Sequence, residues 1–334
     1  MKSNLSELES EIDFLIKEEN FSGSILVAHK ASVLTRKSNG LANIELEVLN
    51  TPNTKFRLGS VTKIFTATAI MQLHEKKVID IESPVNKFIP DYPNGDEITI
   101  FHLLTHTSGI PNLTEFPDFM EWVMTNSSIA DTVGRFKNKP LDFQPGHKFK
   151  YSNSGYILLS YIIELVTDKP YADFIRETIF APLEMMNSGM DNHESIIKNR
   201  ASGYNFKGES LINAPYINMS NPAGAASMYS TVDDLFLFDQ ALYKDGILKR
   251  DTLEMMFQPF KKGYGLGWIV QDKLNQRMVS HGGGIHGFSA NFSRYLDSET
   301  SFIVLSNIFY PKSKIEFISN QLAEITFQKL SVKK

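Results

Sequence analysis

The stretch F-R-L-G-S-V-T-K-I-F-T-A-T-A-I-M-Q-L, residues 56–73, decides how this chain is read. A helix beginning near Ser60 sets Ser60 and Lys63 one turn apart on one face, because residues i and i+3 are neighbours. Beyond Lys63 come Ile64, Phe65, Ala67, Ala69, Ile70, Met71 and Leu73, with only small or uncharged polar residues between them. A helix apolar nearly all round belongs in the middle of a domain. Lys63 is the only charge between Ser60 and Leu73. Burial disfavours an ammonium, and the positive end of the helix dipole acts in the same direction. A neutral lysine beside a serine hydroxyl is a general base beside a nucleophile.

The pattern S-x-x-K is short, and it also begins at Ser195 and Ser331. Ser195 lies in a polar run and Ser331 in the last four residues, so both read as chance. The rest of the chain has to decide for Ser60.

Composition is ordinary: 334 residues, 42% hydrophobic and 22% charged, enough apolar material for a sizeable core. The formal net charge of −4 gives no reason to expect nucleic acid or an anionic membrane as partner. There are no cysteines, which excludes disulfides, thiol catalysis and thiolate metal sites. The first 20 residues carry acids throughout and lack the unbroken apolar core of a secretory signal. Leu5, Leu8, Ile12, Leu15 and Ile16 instead have helical spacing. No run of about 18 apolar residues offers a membrane span, so a soluble, cytoplasmic protein is expected.

Residues 22–30 and 31–43 read as two strands joined by a turn near Lys30 and Ala31. Near the other end, 265–270, 277–280, 287–295 and 301–308 read as successive strands, followed by a helix over 314–329. One antiparallel sheet built from residues 1–58 and 262–334, with the terminal helices on one face, is the expected frame. Residues 59–261 read as mainly helical: 80–85, 100–106, 116–124, 154–166, 171–179, 231–243 and 251–257. The expectation is a single catalytic domain over 1–334, α/β (α+β) in class, with a cleft between sheet and helical insert.

The G-x-S-x-G of an α/β-hydrolase is absent from the chain. His102 and His106 have the i, i+4 spacing of a helical metal pair, but Leu103 stands where H-E-x-x-H has its glutamate. Local hydrogen bonding is the better account of the two histidines, and no metal or cofactor is expected. The run F-K-Y-S-N-S-G-Y around Tyr151 is a polar turn entering an apolar helix, where Ser152, Asn153 or Ser154 suits an N-cap. Its chemical reading makes Tyr151 a proton relay and gives Asn153 a hydrogen bond to substrate and to Lys63. Y-x-N recurs at Tyr92 and Tyr216, so the triplet alone is weak. In S-H-G-G-G-I-H-G-F, residues 280–288, three glycines before a strand fit a turn or bulge. They also permit close approach of backbone to a ligand, and hence one N–H of an oxyanion hole with the Ser60 N–H as the other. The G-x-G-x-x-G match at Gly282–Gly287 lacks a βαβ pattern behind it, which argues against a dinucleotide site.

Six motifs in this order resemble the serine β-lactamase and penicillin-binding protein superfamily. They are F-R-L-G-S-V-T-K, H-L-L-T-H-T-S-G-I-P from His102, P-G-H-K-F-K-Y-S-N-S-G-Y, A-P-L-E-M-M from Ala181, A-G-A-A-S-M-Y-S-T-V-D-D-L from Ala223, and H-G-G-G from His281. The resemblance is nearest to the class C β-lactamase-like branch, which also holds D-aminopeptidases, DD-peptidases and esterases. It implies that Ser60 is acylated, that Lys63 is its base and that Tyr151 passes a proton to the leaving group. It implies that Asn153, His281, Gly283 and Gly284 contact substrate, and that Ser60 and Gly284 supply the oxyanion N–H groups. His281 stands where many members have the lysine of K-T-G. A histidine near its reference pKa is largely neutral at pH 7, so it lacks the permanent charge that a substrate carboxylate needs. The implied activity is therefore an esterase or D-amino-acid peptidase or amidase on a small-molecule or peptide substrate. The alternatives are a β-lactamase or D-Ala-D-Ala carboxypeptidase, and a penicillin-binding sensor without turnover. The oligomeric state does not follow from the sequence.

Overall fold

The structure, a computed structural model, describes residues 2–244 and 246–331. Its main sheet has six antiparallel strands: β1 (Gly23–His29), β2 (Ser32–Asn39), β3 (Ile269–Lys273), β4 (Gln276–Ile285), β5 (Phe288–Tyr295) and β6 (Thr300–Ser306). Their spatial order is β3-β4-β5-β6-β1-β2. β1 lies beside β6, with Ser24 opposite Leu305 and His29 opposite Thr300, so the two ends of the chain close one sheet. Between β1 and β2, Lys30 and Ala31 have φ of 49° and 59°. Two left-handed residues give a tight turn the twist that matches its strands.

Four helices position or support the site: α1 (Lys2–Glu18), α2 (Thr62–Glu75), α3 (Asn153–Thr167) and α4 (Lys312–Ser331). Alternate strand residues serve opposite faces of the sheet. Ile25 and Val27 join Leu8, Ile12, Leu15 and Ile16 of α1 and Ile315, Ile318 and Leu322 of α4 in one apolar cluster. Leu26 and Ala28 face the other cluster, which contains α2. The terminal helices thus share one face, as their spacing predicts. Leu5 is the exception at 40% exposed, so the buried stripe of α1 begins at Leu8. Every residue of α2 from Thr62 to Leu73 is buried, and a single 3₁₀ turn, Gly59–Val61, leads into it.

The glycine triplet is neither a turn nor a bulge before a strand. Gly282, Gly283 and Gly284 lie inside β4, which continues well past Ser280. β3 pairs with β4 only as far as Ser280, so from His281 onward that edge has no strand beside it. The turn bearing Ser60 packs there. A Cβ on Gly283 would come 1.9 Å from Leu58 O and 3.2 Å from Ser60 N. Only glycine permits such an approach of two backbones.

The middle of the chain departs from its periodicity in several places. The expected helix over 80–85 is replaced by turns and a 3₁₀ turn at Val85–Lys87, with Pro84 extended at ψ 150° before it. Helix 116–124 contracts to Phe119–Trp122, behind Pro117, which restricts the residue before it. Tyr171–Ile175 passes into a π turn at Arg176–Phe180. An unforeseen helix, Ile129–Lys137, is capped reciprocally by Ser128 and Asp131. An unforeseen hairpin, Tyr204–Lys207 with Ser210–Asn213, receives Ile308–Phe309 as a parallel third strand. Among the described residues, no helix is long and apolar enough to cross a membrane.

Gly283→Ala should push β4 off the Ser60 turn and destabilise the fold by about 1–3 kcal/mol, the usual scale of overpacking. Urea unfolding reads this directly; an unchanged midpoint would mean that the two backbones are not held so close.

Candidate active site

Lys63 is completely buried. Its Nζ lies 3.1 Å from Ser60 Oγ, 2.8 Å from Asn153 Oδ1 and 2.9 Å from the Ala225 carbonyl oxygen. Two of these partners only accept hydrogen bonds, and the third is a hydroxyl that can also donate. Nζ donates to Asn153 Oδ1, to the Ala225 carbonyl oxygen and to Ser60 Oγ; a neutral amine would keep the first two bonds and turn its lone pair to the Ser60 O–H. Burial holds the Lys63 ammonium well below its ordinary 10.5, as desolvation requires where no carboxylate compensates.

Each partner arrives for a local reason. Asn153 is the first residue of α3, with its amide oriented by Asn112: both Asn153 N and Nδ2 donate to Asn112 Oδ1. Ala225 lies in the short helix Ala223–Ala226. A Cβ on Gly224 would be 2.8 Å from Ser160 Cβ and 2.9 Å from Tyr156 O, so that helix sits tightly on α3.

The Tyr151 ring centroid is 4.8 Å from Lys63 Nζ. Burial raises the Tyr151 pKa, and its Ser60 hydrogen bond opposes this in part. The net shift is upward, so at neutral pH the phenol keeps its proton and is able to donate it. The His106 ring packs on Tyr151 at 4.2 Å between centroids, and His106 Nδ1 accepts from Ser152 N. His102 is used differently, accepting from Thr99 N in the capping box of helix Ile100–Leu104. The local hydrogen bond expected of both histidines is thus made by His102, whereas the partner of His106 lies 46 positions along the chain. Among the described residues, no group of three or more His, Cys, Asp or Glu side chains is arranged to hold a metal.

His281 is buried at 2% exposed. Its Nδ1–H donates to Gly282 O at 2.6 Å, so Nε2 is the acceptor and takes the Tyr264 O–H at 2.9 Å. Burial brings its pKa down to about 3. The imidazole is therefore uncharged, with both nitrogens occupied.

Two cavities open on either side of Ser60. One, of about 280 Å³, is walled largely by apolar groups including Leu113, Trp122, Ile157 and Ile285, with Asn153 at its inner end. The other, of about 600 Å³, includes Tyr151, Tyr264, His281, Lys312 and Glu316 in its walls. Gly284, exposed on β4, borders both. The predicted residues Ser60, Lys63, Tyr151, Asn153, His281, Gly283 and Gly284 thus gather around one cleft. Ser195 is remote in role, its N–H donating to the Asn192 side chain in an exposed turn. The lysine that would complete the Ser331 pattern, Lys334, lies outside the described residues.

The beta-lactamase family model matches residues 13–323. The chain belongs to the beta-lactamase family. It is 34% identical to a penicillin-binding protein of Bacillus subtilis over 92% of this chain and 73% of that one. Among solved structures, it is similar to the octameric penicillin-binding protein homologue from Pyrococcus abyssi. That match has a TM-score of 0.84 and 28% identity, and covers 97% of this chain and 77% of the other. A D-stereospecific amidohydrolase from Streptomyces matches with a TM-score of 0.78 and 26% identity over 88% and 92% of the two chains.

Within this family frame, four contributors escaped the sequence. Ala225 acts through its carbonyl, which any residue has. Asn112 and Tyr264 stand 41 and 17 positions from the residues they orient. His106 was visible only as half of a metal spacing. Nothing in their local sequence marks them.

Lys63 also makes stability depend on pH. The unfolded lysine binds its proton below about 10.4, whereas the folded one stays neutral until a much lower pH. In that window the unfolded state holds more protons, so stability rises with pH, by up to about 1.4 kcal/mol per pH unit for one group. Lys63→Met should flatten the rise between pH 7 and 9 in urea unfolding. Identical slopes in the two proteins would show that Lys63 is charged in the fold.

Proposed function

We propose that this protein is a serine hydrolase of the class C β-lactamase-like branch that forms an acyl-enzyme at Ser60 on an ester or amide. The observation that carries this reading is the set of partners around Lys63 Nζ: two carbonyl oxygens and the Ser60 hydroxyl. Ser60 Oγ attacks the substrate carbonyl carbon while its proton passes to the Lys63 amine. The N–H groups of Ser60 and Gly284 receive the developing oxyanion; in other hydrolases, losing one such donor costs about 10²–10³ in rate. The Tyr151 O–H protonates the departing nitrogen or oxygen, and the bond to the leaving group breaks. The resulting phenolate takes a proton from the deacylating water. The water oxygen adds to the acyl carbon, the Ser60 Oγ–carbon bond breaks, and the Lys63 ammonium returns its proton to Ser60 Oγ as the acid departs. Asn153 orients the acyl side, and His281, Gly283 and Gly284 line the path of the leaving group.

Substrates of the D-amino-acid amide, peptide or short ester type fit this site. The support is the uncharged His281, which offers no cation to a substrate carboxylate, together with the similarity to a D-stereospecific amidohydrolase. A second reading, acylation by penicillins or D-Ala-D-Ala peptides, is favoured by the penicillin-binding relative and by Lys312 in the larger cavity. Incubation with p-nitrophenyl acetate, a D-amino-acid amide and benzylpenicillin, followed by turnover and intact mass, separates the readings. Turnover of ester or amide without penicillin turnover is the expected outcome. A lasting penicillin adduct without turnover of any probe marks a sensor.

Ser60→Ala should abolish both turnover and adduct; activity equal to the parent's sinks the assignment. Lys63→Arg should lose acylation, because guanidinium stays charged and has no lone pair to offer. Near-parental acylation by that variant removes Lys63 as the base.

A further inference from the structure

The two cavities have three lining residues in common: Ser60, Gly284 and Phe309. The first two belong to the proposed reaction. Phe309 lies outside every motif of the sequence, yet it stands at the junction where the cavities meet. Its ring packs on the glycine strand, since a Cβ on Gly284 would come 3.0 Å from Phe309 Cε2. At 43% exposed, it contributes little to the core.

Backbone pairing fixes this position. Phe309 is opposite Asn205 in the parallel pairing of Ile308–Phe309 with Tyr204–Lys207, and Asn205 Oδ1 accepts the Gly287 N–H just past β4. The next residue is anchored as well: Tyr310 N donates to Ser289 Oγ and the Tyr310 O–H donates to Asn20 O. An exposed aromatic ring is therefore held beside the nucleophile by a sheet built around it.

A carbonyl bound at Ser60 must send one substituent into each cavity, and both must leave the reacting carbon past Phe309. We infer that Phe309 is a specificity-determining residue, which admits a thin, extended junction at the scissile carbonyl and obstructs one branched at the α carbon. The inference rests on the acyl-enzyme reading of Ser60. It assigns the preferred acyl groups to the unbranched class, such as acetyl and straight-chain acyl, over tertiary groups such as pivaloyl. The phenyl face also gives thin acyl groups an apolar contact, so its removal should weaken their binding while it opens the passage for wide ones.

The test uses p-nitrophenyl acetate and p-nitrophenyl pivalate, which share a leaving group and differ only in branching at the α carbon. Phe309→Ala should raise the pivalate-to-acetate ratio of kcat/KM roughly tenfold or more over the parent, the scale on which a pocket discriminates by bulk. It should also raise KM for the acetate. Phe309→Tyr should keep the parental ratio, and Phe309→Leu should fall between; the leucine variant serves alone if the alanine variant does not fold. Ser60-dependent turnover with an unchanged ratio overturns this inference and leaves the acyl-enzyme reading standing. Absence of Ser60-dependent turnover of both the acetate and the D-amino-acid amide in the parent overturns that reading and this inference together, and turnover of the amide alone overturns this inference.

Discussion

A primary amine without a carboxylate partner, buried beside a hydroxyl, is the constraint on which the rest of the site depends. Taking an ammonium out of water is costly, and burial holds the Lys63 pKa well below its ordinary value. The three hydrogen-bond partners of Nζ come from three separate parts of the chain. The 3₁₀ turn Gly59–Val61 brings Ser60 and α2 brings Lys63, α3 brings Asn153, and the helix Ala223–Ala226 brings a main-chain carbonyl. The packing of these helices is thus the source of the chemistry as well as of the core.

A second constraint is the distance between backbones where β4 meets the Ser60 turn. A strand carrying a side chain at 283 would have to stand further from the Leu58 carbonyl and the Ser60 turn. The antiparallel sheet holds β4 from the other side through β5, with Gly284 opposite Ser289. Deeper in, Arg294 of β5 forms a fully buried ion pair with Asp239 at 2.6 Å. Ser301 Oγ of β6 donates to the same carboxylate. That pair ties helix Val232–Ala241, which lies between the sheet and α2, to the strands. The two components of the site are thereby held to one frame.

His281 illustrates how tertiary context completes a substitution. A histidine in place of a lysine already removes a permanent charge. Burial, the Gly282 carbonyl and the Tyr264 hydroxyl then hold it in one neutral tautomer. The larger cavity keeps a cation at its rim, Lys312, but this side chain is exposed and paired with Glu316 at 3.3 Å. A solvated, paired ammonium attracts an anion far less than a desolvated one.

By itself, the sequence determined what depends on short-range geometry. The pairing of Ser60 with Lys63 follows from helical spacing, and the burial of α2 from its unbroken apolar surface. The shared sheet of the chain ends follows from short apolar runs bounded by turns at both ends of the chain. The register of Tyr151 and His281 with known motifs then pointed to the family. Tertiary structure alone decided what depends on groups far apart in the chain. Ala225 reaches Lys63 from 162 positions away, and no local pattern encodes such a meeting, whereas the Asn153 bond to Lys63 was expected from the Tyr151 motif. The glycine triplet could not be read as strand because the reason for it, the Leu58 carbonyl, lies on another element. The Ser60–Lys63 stretch supplied the hydroxyl and the amine; the fold supplied the two carbonyl acceptors that meet at Nζ.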